Sequence, residues 1–197
     1  LKGFAAVAIL LLLVSAGVSG IRILTEYPRF LLFDATYQKV AGFEPQYMPN
    51  LRGLLYLLVD RKVPPSVFGV LLAAVSVLTL WWAARNWRDE QFDVSFAAAV
   101  VATILTSYHL YNYDLTLVLL PIAIVCGELA RQGRLVTNRL LTGVLAVIFL
   151  PPVHLALAEH GIYALMGIPV LVLFFVVIRV IHFTAPQKST NVIVATQ

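Results

Sequence analysis

The run PSVFGVLLAAVSVLTLWWAA, residues 65–84, carries no charge over the ~20 positions a helix needs to cross the hydrocarbon of a bilayer. Runs of this kind recur along the chain, and they constrain its fold more than any other feature. Such a segment can be buried inside a large protein or can face lipid. A chain of 197 residues that is 60% hydrophobic and 12% charged has too much surface for its volume to hide that much apolar side chain. Lipid is therefore its natural solvent, and the backbone must satisfy its own polar groups as helices.

The expected fold is all-α, a polytopic transmembrane helical bundle with about six spans. The spans fall near 3–24, 65–84, 92–108, 115–129, 140–158 and 162–183. Residues 1–183 then form one integral-membrane domain, and 184–197 a short polar cytoplasmic tail. The opening LKGFAAVAILLLLVSAGVSG has the look of a secretory signal. Its start at Leu1 rather than Met, and the spans that follow it, favour an internal helix of a longer chain. Pro121, the pair Pro151 and Pro152, and Gly167 with Pro169 interrupt the last three spans and are expected to produce packing kinks. The lone Cys126 lies in an apolar run and has no internal disulfide partner.

Arg and Lys near the span ends orient the bundle. Arg85 and Arg88 follow the second span, Arg131, Arg134 and Arg139 the fourth, and Arg179 and Lys188 the sixth. The alternate links, 108–114 and 159–161, hold neither Lys nor Arg. Both termini of this chain are thus expected in the cytoplasm and the alternate links outside, at a bacterial plasma membrane. One outer link departs from the rule, since 25–64 carries Arg29, Lys39, Arg52, Arg61 and Lys62. An anionic ligand at the outer face would account for those cations. Within that link, YPRFLLFDATYQKV mixes aromatics with charges, as an interfacial helix does, and NLRGLLYLLVD reads as a second such helix or a shallow re-entrant turn. The basic residues form no cluster or reading helix suited to nucleic acid.

Two polar constellations stand out on the outer side. SYHLYNYD, 107–114, packs His109, Asp114 and the tyrosines Tyr108, Tyr111 and Tyr113 into a short turn. A His beside a carboxylate can bind phosphate or move a proton near neutral pH, and Tyr is equally at home as an interfacial anchor. Two such ligands are too few for a zinc site. PQYMPNLRGLL, 45–55, offers Arg52, whose planar fork grips phosphate oxygens, and Asn50, which can orient Arg52 or touch sugar hydroxyls. Gly53 lets backbone approach closely. An isolated Arg could equally snorkel to lipid headgroups. His160 and Glu159 read as a solvated loop, and His154 as a partner for backbone freed by the neighbouring prolines.

Taken together, MPNLRGLL at 48–55 and SYHLYNYDLTLVLLPI at 107–122 resemble the C-terminal half of glycosyltransferase family 87, in the glycosyltransferase-C superfamily. Met48, Asn50, Arg52, Gly53, His109, Tyr113, Asp114 and Pro121 match the pattern of that family. The resemblance implies transfer of a hexose or pentose, mannose or arabinofuranose, from a polyprenyl-phosphate donor to a lipid-linked or glycan acceptor at the outer face. It implies that Arg52 neutralises the departing phosphate with His109 as partner or donor, and that Asp114 orients His109 or contacts the sugar. Asn50, Tyr108, Tyr111 and Tyr113 would line the substrate. The general base of the family, an acidic residue in an earlier outer loop, is expected upstream of Leu1. No cofactor follows from the residues, although the complete site leaves room for a divalent cation. A secondary transporter and a non-catalytic membrane assembly subunit are the alternatives. Against the transporter, the middles of the spans hold no Asp, Glu, Lys or Arg.

Overall fold

A computed structural model describes residues 2–29, 44–59, 62–134 and 138–184. Among these residues the fold is all-helical. The chain divides into two compact units, Leu1–Glu44 and Pro45–Gln197.

In the first unit, helix α1 (Lys2–Ser19) is followed by the short α2 (Ile23–Arg29). The break between them falls at Gly20, whose φ of 84° is open to glycine and strained for other residues. The first expected span therefore stops at Ser19, and its apolar stretch Ala5–Ser19 is shorter than a full crossing. The expected interfacial helix over 27–40 lies largely outside the described residues, as does the tail beyond Thr184.

The second unit holds α3 (Leu51–Val59), α4 (Pro65–Arg85), α5 (Phe92–Thr106), α6 (Leu119–Arg131), α7 (Arg139–Phe149), α8 (Pro151–Glu159) and α9 (Gly167–Thr184). Short 3-10 turns lead into α6 and α9, and these combine into continuous apolar stretches, Tyr113–Arg131 and Tyr163–Phe183. With α4 they make, among the described residues, three helices long and apolar enough to cross a membrane, or four if the bent pair α7–α8 counts as one span.

Helix α5 is the centre of this unit and packs against α4, α6 and α9. Its buried side is rich in small residues, Ala97, Ala98 and Ala102, which let neighbouring backbones come close where there is no hydrophobic drive between helices in lipid. Helix α4 is different. Only Thr79 and Ala83 are buried, while Val70, Val77, Leu78 and Trp81 lie open. A surface that apolar belongs against lipid. Trp82 attaches this helix to α9 through edge contacts with Phe174 and Phe175, at ring separations of 6.5 and 5.4 Å.

The helix breakers act differently from one another. Pro121 and Pro169 sit in the first turns of α6 and α9, where a missing N–H costs nothing, so neither interrupts its span. Pro151 and Pro152 leave two successive carbonyls without their helical donors, and the chain turns by 60° between α7 and α8. This is a break rather than the packing kink expected from sequence. The carbonyl of Ile148, which the N–H of residue 152 would otherwise serve, lies 2.6 Å from Nε2 of His154. His154 thus supports the break, as its place beside the prolines suggested, and its Nδ1 is 2.8 Å from the hydroxyl of Tyr163.

Two glycines fix the approach of α3. A Cβ on Gly53 would overlap the carbonyl oxygen of Met48 and stand 2.7 Å from Cβ of Ala164. A Cβ on Gly167 would lie 3.0 Å from Cγ of Leu54 and 3.2 Å from the amide nitrogen of Asn50. Gly143, inside α7, meets nothing within 4 Å. Gly53→Ala should therefore lower the unfolding temperature in detergent by an overpacking cost of about 1–3 kcal/mol. Gly143→Ala should leave it unchanged or raise it, because Ala is the better helix former. Equal responses from the two variants would contradict the close packing of α3.

Candidate functional site

Asn50 begins the site. It precedes α3 as its N-cap, with Oδ1 accepting the N–H of Gly53 at 2.9 Å. The same amide turns its Nδ2 outward and donates to the carbonyl of Ser107 at 2.7 Å. A donor on one side and an acceptor on the other fix the amide orientation. Asn50 is wholly buried, and both ends of its amide are engaged by backbone. It ties α3 to the turn after α5.

Two residues on, Arg52 enters the protein from the first turn of α3 and is only 1% exposed. Its Nη1 donates to the carbonyl of Tyr108 at 3.1 Å and lies 3.7 Å from Sδ of Met48. Its Cζ stands 4.0 Å from the centroid of the Tyr108 ring, so cation and aromatic face are in direct contact. Burial pulls the guanidinium below its usual basicity, opposed by Tyr108 and Tyr111. A guanidinium begins so high that it stays charged even so. This Arg is thus a fixed positive charge beneath the turn, and it does not snorkel.

The turn folds around that charge. The hydroxyl of Ser107 donates to the carbonyl of His109 at 2.7 Å, a local bond that Ser makes readily in turns. The Tyr108 and His109 rings meet edge to face at 4.8 Å. His109 is half-buried, with both ring nitrogens shielded from solvent. Burial first, and the Arg52 charge second, hold its imidazole below the usual 6.5. The ring is therefore neutral at neutral pH, able to donate through one nitrogen and accept through the other.

Asp114 has a separate task. Its Oδ2 accepts the N–H of Tyr111 at 2.9 Å, while its own N–H donates to the Tyr111 carbonyl at 3.1 Å. This reciprocal pair starts the 3-10 turn Asn112–Val118 that leads into α6. The orientation of His109 expected from sequence is not the contact Asp114 makes here. Tyr111 and Tyr113 stack at 5.4 Å and 15°, with Tyr113 largely exposed at the rim. Burial, and Tyr113 beside it, raise the Tyr111 hydroxyl above its usual value.

The two sequence constellations, more than fifty residues apart, are thus joined by the bonds Asn50–Ser107 and Arg52–Tyr108. His154, Glu159 and His160 stand outside this cluster: His154 supports the proline break, Glu159 is exposed, and exposed His160 has its Nδ1 2.7 Å from the Ala156 carbonyl. Residues not singled out as site residues also take part. Met48 and Ser107 touch Arg52 and Asn50 directly, and Gly167 leaves the space in which the cap fits. The signal for Asn50 was its position, a capping residue just before an apolar helix. Among the described residues no group of three or more His, Cys, Asp or Glu is placed to hold a metal ion.

Comparison with protein-family models, with curated proteins and with solved structures finds no match to this chain.

Because His109 is held below its unfolded value, the folded protein binds fewer protons than the unfolded chain once pH drops towards that value. The stability associated with neutral His109 is complete above about pH 6.5 and is lost as pH falls through the folded pKa. The unfolding temperature should decline between pH 7 and 5, and His109→Gln should flatten the decline. An unchanged slope in the variant would contradict the burial of this ring beside Arg52.

Proposed function

We propose that this chain is a membrane glycosyltransferase, or part of one, that moves a sugar from a polyprenyl-phosphate donor to a lipid-linked or glycan acceptor. The single observation that supports the reading is the meeting of buried Arg52 with the Tyr108–His109 turn at one end of the bundle, through the Arg52–Tyr108 hydrogen bond and ring contact and the adjoining Tyr108–His109 rings. That arrangement suits a leaving group that is already a phosphate. The acceptor oxygen attacks the anomeric carbon, the bond from that carbon to the phosphate oxygen breaks, and its electron pair leaves with the phosphate. Negative charge grows on that oxygen as the bond lengthens, and preorganised donors are worth most where charge develops.

In this reading Arg52 supplies positive potential from below, and His109 donates to the phosphate once donor binding opens the turn that shields its ring nitrogens. Tyr108 covers the cation, and the stacked Tyr111 and Tyr113 form the wall towards lipid and sugar. Asn50 and Asp114 hold the two backbone segments. The acceptor proton passes to the acidic residue that the family resemblance assigns to an earlier outer loop. The finer architecture belongs to the same proposal: about six spans, both termini cytoplasmic, and the Arg52 end facing outward at a bacterial plasma membrane. Arg85, Arg131, Arg134, Arg139 and Arg179 support this orientation, since all lie towards the opposite helix ends.

The 60° break between α7 and α8 favours a second reading, a secondary transporter, because transporters build their sites from interrupted helices. Sugar transfer in membranes separates the two. His109→Ala should lower transfer from a polyprenyl-phosphate-sugar by about 100-fold or more, the scale of losing one preorganised donor. Arg52→Lys, which keeps the charge but loses the planar fork, should lower it less. Full activity in both variants would overturn the proposed site, and solute uptake into sealed vesicles would favour the transporter.

A further inference from the structure

At the opposite end of the second unit, a cavity of about 370 Å³ opens between the ends of α6, α7 and α9. It falls within the ~300–1,000 Å³ typical of small-ligand sites. Gly167, beside Asn50, and Phe183, on the cavity wall, lie sixteen residues apart on α9, so roughly 24 Å separates the two regions. Three arginines line the cavity, Arg134, Arg139 and Arg179, and no Asp or Glu does. The apolar part of the lining includes Leu129, Val176 and Val180, all buried.

One of the three cations has an ordinary electrostatic explanation. Arg134 follows the C-terminus of α6, where the helix dipole welcomes positive charge, whereas Arg179 is exposed on α9 ahead of its last turn. Arg134 also rests over the Phe183 ring, 4.9 Å from its centroid. Arg139 has no such explanation. It is the first residue of α7, whose first turn carries no acidic side chain. There it adds positive charge to the positive end of a helix dipole, with two further arginines across the cavity. Such an arrangement is attractive to an anion. The acidic residue nearest in sequence, Glu128, is already bridged to Arg131 at 2.7 Å and accepts from Gln132 at 2.9 Å.

We propose that this cavity binds the phosphate of an anionic lipid headgroup, with Arg134, Arg139 and Arg179 around the phosphate and the apolar lining against the adjoining glycerol and acyl carbons. Apolar walls beneath the cations favour a lipid over free phosphate, which has nothing to bury there. Basic pockets between transmembrane helix ends are suited to this class of ligand.

The test uses the whole chain in phosphatidylcholine nanodiscs, with phosphatidylglycerol or inorganic phosphate added and the unfolding temperature read. Phosphatidylglycerol should raise it, and inorganic phosphate should not. In Arg139→Gln/Arg179→Gln the apparent affinity for phosphatidylglycerol should fall roughly fivefold for each arginine removed. Arg85→Gln alters charge at the same end but outside the cavity, and should leave that affinity unchanged. Equal protection by inorganic phosphate would overturn the lipid assignment. Equal loss in Arg85→Gln would overturn the site itself, since charge anywhere on that face would then suffice.

Discussion

A guanidinium buried to 1% exposure is the constraint around which the second unit is arranged. Taking such a charge out of water is costly unless its surroundings answer it. The Tyr108 carbonyl and ring do so together, and they reach it because the turn after α5 folds back over α3. The Asn50 cap gives α3 its starting point, and the missing Cβ of Gly53 and Gly167 lets the helix come near enough for both contacts. Each of these small residues serves the geometry of one large cation.

The same constraint determines the chemistry of the neighbour. His109 shares the enclosure with a positive charge and is therefore kept uncharged. An imidazole kept neutral beside a permanent cation would let the proposed site receive an anion without first titrating a group. Asp114, a carboxylate only five residues away in sequence, is spent on the backbone of Tyr111 and shapes the entry to α6. The cluster is therefore positive in character, which suits the phosphate-bearing donor proposed for it.

Much of the architecture was legible in the sequence, because apolar runs and the hydrogen-bonding needs of backbone in lipid leave few choices. The all-helical fold follows directly, and so does the service of His154 to backbone freed by Pro151 and Pro152. The pairing of the 48–55 and 107–114 segments was implied by the family resemblance that the two carry together, and the structure brings them into contact. Other features depended on where a residue falls within its turn. Pro121 and Pro169 look like interruptions in a linear reading, yet the 3-10 turns before them place both in first helical turns. Consecutive prolines in mid-span do the opposite and turn the chain sharply. The backbone bonds of Asn50 and Asp114 were not legible either: Asn50 caps α3 and reaches the Ser107 carbonyl fifty-seven residues on, and Asp114 accepts from the Tyr111 amide. The length of each apolar helix was also obscure, since α5 spans only Phe92–Thr106 and α1 stops at Ser19, before the break at Gly20.

The central claim is that the Arg52 end of the bundle receives the phosphate of a polyprenyl-phosphate-sugar. It is tested most directly with a polyprenyl-phosphate analogue carrying a photoreactive group beside its phosphate, cross-linked in membranes and mapped by peptide mass spectrometry. The account predicts labelling within 107–113, displaced by unlabelled polyprenyl-phosphate-sugar and not by phosphatidylglycerol. Labelling that avoids this turn, or that phosphatidylglycerol displaces equally well, would contradict it.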